Sequence, residues 1–208
     1  SPFLWYLNRG TGLVLLVLFT LTNIDILMAR IFLSEDSSGE YSVGVLLAKI
    51  AFFLPNAIII VLFPKMTTGN SRRTVYIATG LTAVVGLLIT GFSLVFGDLV
   101  IRVLGGVQYV DLGLGTDAWL FALEGSAFAL VQVLLYARLA AEDKRAAASV
   151  WIALVVLVAI IALWRHADVV QIVTTVVGVS LVLTLIGLFL DWRGGREVSV
   201  VEPIEMAE

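Results

Sequence analysis

Residues 74–96, TVYIATGLTAVVGLLITGFSLVF, contain no Asp, Glu, Lys or Arg. A helix rises about 1.5 Å per residue and the hydrocarbon core of a bilayer is about 30 Å thick, so about 20 apolar residues cross it. The stretch is read as a membrane span. Working outward, five more stretches of similar length and character occur: Thr11–Leu33 and Ser42–Phe63 before it, and Asp117–Ala140, Ala146–Trp164 and Asp168–Leu190 after it. The expected fold is all-α: a polytopic membrane protein whose six-transmembrane-helix bundle fills residues 11–191, with a cytoplasmic lead over 1–10 and a cytoplasmic tail over 192–208.

Composition agrees with this reading. Apolar residues make up 60% of the chain and charged residues 14%, against roughly 45–50% and about 25% in soluble domains. Mean hydropathy is +1.05. With no cysteine, the chain has no thiolate metal site, disulfide or thiol nucleophile; no metal or cofactor is expected. The net charge of −3 is spread over loops and offers no basic patch to nucleic acid. Neither HExxH nor GxSxG occurs, nor a glycine loop ending in Lys-Ser/Thr, so an enzyme is disfavoured. The chain opens on Ser1, and Arg9-Gly10-Thr11-Gly12 lacks a signal-peptide cleavage pattern. The expectation is a part of a longer chain.

Charge alternates along the loops. On one side lie Arg9, Lys65, Arg72, Arg73, Arg138, Lys144, Arg145, Arg193 and Arg196; on the other lie only Arg30, Arg102 and Arg165, among seven acidic residues. Basic residues collect on the cytoplasmic side. Both termini are therefore expected in the cytoplasm, in the plasma membrane. An even span count with both ends inside suits one half of a parallel duplication. After Phe96, residues 97–104 are expected along the outer surface with Leu99, Val100, Val103 and Leu104 toward lipid. Gly105, Gly106, Gly113 and Gly115 then predict a flexible outer loop. Gly80, Gly86 and Gly91 are read as close-packing positions.

Ionisable groups inside spans are costly and mark wet pathways or internal pairs. Asp25, Lys49 and Glu124 lie eight, seven and seven residues from the outer ends of their spans, roughly 10–12 Å deep. They are expected in one layer. Asn56 follows Lys49 by seven residues, within about 20° on the helix wheel, and Gln132 matches its depth. These five form a candidate substrate or ion pathway, with Pro55 as a hinge because it removes a backbone hydrogen bond. The plainer reading is an Asp25–Lys49 structural ion pair, with Asn56 and Gln132 as interhelical glue. His166 is read as an ordinary loop residue beside the interfacial anchor Trp164.

The stretch from Asn23 to Ser34, followed by Gly39-Glu40-Tyr41-Ser42, then Lys49-Ile50-Ala51-Phe52-Phe53-Leu54-Pro55-Asn56-Ala57, Leu62-Phe63-Pro64 and Leu104-Gly105-Gly106-Val107-Gln108-Tyr109, resembles the second lobe of polysaccharide and oligosaccharide flippases. These belong to the multidrug/oligosaccharidyl-lipid/polysaccharide exporter superfamily. The resemblance covers roughly residues 20–140. It implies two six-helix lobes around a central cavity, moving lipid-linked oligosaccharide between leaflets, often with an ion gradient. On that likeness Lys49 meets a substrate diphosphate, and Asp25 holds Lys49 or takes part in cation coupling. The expected partners are membrane lipid, the lipid-linked oligosaccharide, and a missing amino-terminal lobe or a second copy. A cation-coupled multidrug exporter half using Asp25 and Glu124, or a membrane scaffold without transport, are the alternatives.

Overall fold

A computed structural model describes residue 12 and residues 16–57, 71–140 and 145–197. Among these, seven helices follow a helical run over residues 16–21: α1 (Ile24–Phe32), α2 (Glu35–Phe53), α3 (Ser71–Leu104), α4 (Val107–Asp111), α5 (Leu114–Ala140), α6 (Arg145–Leu163) and α7 (Val169–Glu197). No strand occurs among the described residues. The all-helical expectation is met.

Among the described residues, three helices have the length and composition to cross a bilayer: Arg73–Leu104, Leu114–Arg138 and Val169–Leu190. The other three expected spans are helical where described; two of them are interrupted and the third is a continuous helix whose described apolar part is shorter. The first is broken at Thr22–Asn23, the second turns at Leu54–Pro55, and the fifth has an apolar helix over Ala148–Leu163. The second span's inner end, residues 58–63, lies outside the described residues, as do the lead over 1–10, residues 64–70 and residues 198–208 of the tail. The last helix extends to Glu197, past the expected start of the tail at 192.

Helix α5 is the axis of the bundle. Of its most apolar stretch 83% is buried, against 22% for α3, and α2, α3 and α7 all pack along it. Lipid is as apolar as leucine, so helices associate there through close backbone approach rather than through water exclusion. The sequence supplies that approach at specific places. A Cβ on Gly125 would strike the Ala48 backbone, one on Gly44 the Phe121 ring, and one on Gly86 the Ser126 side chain. Ser126 Oγ, 2.7 Å from its own helix's Ala122 carbonyl, also lies 3.3 Å from the Gly86 carbonyl of α3. Gly80 and Gly91 have nothing within 4 Å of an added Cβ. Of the three glycines expected to close-pack, only Gly86 does so, because it alone faces α5.

Helix α3 bends where the sequence places the membrane boundary. Phe96 leaves helical geometry at φ −117° and ψ 29°, and Gly97 follows it against Gly115 of α5. Beyond the bend, Leu99 and Val103 are exposed and Ile101 is fully buried. Val100 and Leu104, expected toward lipid, pack against the core instead. The expected flexible loop is a built connection: Gly106 and Gly113 adopt φ +101° and +88°, the region glycine enters without steric cost, with α4 between them. At the α6–α7 connection His166 Nδ1 lies 2.9 Å from the Ile161 carbonyl, and its ring is 5.0 Å from that of Phe32. It joins the ends of α6 and α1, while Trp164 is exposed.

Candidate functional site

The break at Thr22–Asn23 builds one wall of the site. Ending the helical run at residue 21 turns the Asn23 N–H to the Thr20 carbonyl and leaves the Phe19 carbonyl without its helical amide partner, while the Leu18 carbonyl keeps the Thr22 N–H. The Thr22 hydroxyl donates to the Leu18 carbonyl at 3.1 Å and Asn23 Nδ2 to the Phe19 carbonyl at 2.7 Å. With its amide nitrogen so engaged, Asn23 presents Oδ1 across the helix interface, where Lys49 Nζ donates to it at 3.3 Å. Helix α1 starts immediately after, placing Asp25 in its first turn, where free N–H groups favour a negative charge.

Asp25 is 1% exposed, and Tyr41 and Glu124 are 0% exposed. Tyr41, from the start of α2, donates its hydroxyl to Asp25 Oδ2 at 3.3 Å. Its ring meets Phe121 edge-on at 5.3 Å and 76°, which fixes the hydroxyl's position. Glu124 of α5 lies beside both groups. Neither of its oxygens, nor Asp25 Oδ1, meets a donor among the described residues.

A cavity of about 430 Å³ opens between residues 16–25, α2 and α5. Its polar lining is Thr22, Asn23, Asp25, Lys49, Asn56 and Gln132; Phe19, Phe52, Phe53 and Phe128 supply much of the apolar remainder. Four of the five expected pathway residues thus share one cavity. Glu124 does not line it and stands behind Asp25. No salt bridge joins Asp25 to Lys49 among the described residues. The ammonium goes to Asn23 and the carboxylate to Tyr41, so the structural ion pair is not formed.

Gln132 is buried and donates from Nε2 to Tyr136 Oη at 3.3 Å, while its Oε1 has no donor. Asn56 is half-buried just past the turn at Leu54–Pro55. Proline at 55 cannot donate to the Ala51 carbonyl, and α2 stops at Phe53 with Leu54 as its cap. Among the described residues no group of His, Cys, Asp and Glu side chains is arranged to hold a metal ion.

Two participants escape a reading of the sequence. Tyr41 sits one residue before an expected span, where a tyrosine is an ordinary interfacial anchor; only packing turns it inward. Asn23 precedes Asp25 by two residues, and its contact with Lys49 follows from a helix break that no proline or glycine marks. No protein-family model, curated protein or solved structure matches the chain. The likeness to polysaccharide flippases rests on the motifs quoted above.

Proposed function

We propose that this chain is the carboxy-terminal half of a plasma-membrane flippase that moves lipid-linked oligosaccharide toward the outer leaflet for cell-surface polysaccharide synthesis. In this reading it crosses the bilayer six times with both termini in the cytoplasm. A second six-helix lobe, in the same polypeptide or as another copy, completes the translocation path. The observation that carries the reading is one cavity lined by the Lys49 ammonium, the Asp25 carboxyl, three amides and an aromatic wall. A lipid-linked oligosaccharide presents the complementary set: an anionic phosphate linkage, sugar hydroxyls and an apolar chain. Lys49 is suited to the phosphate as a charge-assisted donor, and Asn23, Asn56 and Gln132 to hydroxyls.

The buried carboxyls beside this cavity favour an ion-coupled process, and they also suit the second reading, a cation-coupled multidrug exporter half. Lys49→Ala decides between these and a scaffold. At equal protein abundance it should lower glycan export by about tenfold or more, as expected for losing a charged hydrogen bond of about 1.5–3 kcal/mol. Deleting the full gene should leave polyprenyl-linked sugar on the cytoplasmic leaflet. Unchanged glycan export with new drug sensitivity favours the exporter. Export that merely follows protein level in Lys49→Ala favours the scaffold.

A further inference from the structure

Hydrogen-bond accounting at the buried carboxyls leaves more acceptors than donors. A tyrosine hydroxyl has a single hydrogen, and that of Tyr41 is directed to Asp25 Oδ2. Asp25 Oδ1 and both Glu124 oxygens remain buried without a donor. Unpartnered acceptors in an apolar interior are costly, and each such group in a folded protein calls for an explanation. One proton on the carboxyl pair relieves two of these three atoms, since a Glu124 carboxylic acid O–H can donate to Asp25 Oδ1, and it leaves the remaining Glu124 oxygen as a neutral carbonyl in place of a buried charge. The first-turn amides of α1 offset part of the Asp25 charge, but no positively charged side chain is directed to either carboxyl. Lys49 is directed to Asn23, and no charged residue occurs between Arg73 and Asp98 in α3, from Ala148 to Leu163 in α6, or between Asp168 and Asp191 in α7.

The two carboxyls differ in access. Asp25 lines the cavity, whereas Glu124 does not. We propose that Glu124 is a proton store sealed from the cavity, that Asp25 is the group through which its proton leaves and returns, and that the Tyr41 hydroxyl is the positioning residue holding Asp25 for the exchange. In the step, the O–H bond on Glu124 breaks, an O–H bond on Asp25 forms, and Glu124 is left as the carboxylate. Asp25 then passes the proton to water in the cavity. The inference deepens the ion-coupled side of the proposed function and gives Tyr41 and Glu124 separate roles.

The test is infrared difference spectroscopy of the whole chain in lipid nanodiscs, following the carboxylic acid C=O stretch through pH titration and transfer into D2O. The wild type should show an acid band that Glu124→Gln removes. Asp25→Asn should slow deuterium exchange of that band by about tenfold or more, a barrier increase of about 1.4 kcal/mol, and Asp25→Glu should restore it. Tyr41→Phe keeps the ring against Phe121 and should shift both the band and its titration midpoint. A band that survives Glu124→Gln, or exchange as fast in Asp25→Asn as in wild type, overturns the proposal. If Tyr41→Phe does not fold, the Asp25 pair of variants still decides the relay. These readouts need no substrate, so a failed glycan assay and a failed relay are separate results.

Discussion

Gly125 and Gly91 look alike in sequence, each a glycine inside an apolar helix, yet a methyl group meets the Ala48 backbone at one and open space at the other. Gly125→Ala must separate α2 from α5 and should cost about 1–3 kcal/mol, the range for overpacking a tight interior. Gly91→Ala should be neutral or stabilise by up to about 1 kcal/mol through helix propensity. Reversible unfolding of both variants in bicelles checks the contrast; equal effects would remove the close-approach account of α2 and α5. At this scale the legible residues are the ones whose cost is intrinsic. Asp25, Lys49 and Glu124 declare themselves because a charge in an apolar run needs a reason. Tyr41 and Gly125 do not, since a tyrosine or a glycine is cheap in many settings and only its neighbours give it a task.

Among the elements, α3 is where a one-dimensional reading comes closest to the structure and still misses half the detail. The end of the apolar run at Phe96 coincides with the departure from helical geometry. Which residues of 97–104 face the core depends on the direction taken after the bend, and there Val100 and Leu104 turn inward. The absence of native cysteine makes single-cysteine spin labelling free of background. Labels at Leu88 and Val95 should be relaxed mainly by oxygen, a label at Val103 mainly by a polar nickel reagent, and a label at Ile101 should be immobilised. Deep, oxygen-dominated behaviour at Val103 would mean that α3 continues through lipid beyond the bend. Helix α2 repeats the lesson. Pro55 marks its interruption in the sequence, whereas the matching interruption at Thr22–Asn23 is stabilised by side chains bonded to the preceding carbonyls.

For the whole molecule, the distribution of basic residues predicts one orientation. In cells, an impermeant maleimide should label Ser37→Cys and Asp111→Cys from outside and Ser199→Cys only after lysis. Labelling of Ser199→Cys in intact cells would reverse or reduce the span count. The sequence by itself determined that this protein is helical and apolar enough for membrane-crossing helices, and which of its ionisable groups lie within apolar runs, because hydrophobicity and helical periodicity are local, additive properties. Only the tertiary structure decided that α5 is the axis, that Asp25 and Lys49 take different partners, and that Glu124 is sealed behind Asp25 while four other polar residues share a cavity. Those outcomes depend on which small residues let helices approach and on the rotation of each helix about its own axis. A span's composition leaves that rotation open, and packing against its neighbours fixes it.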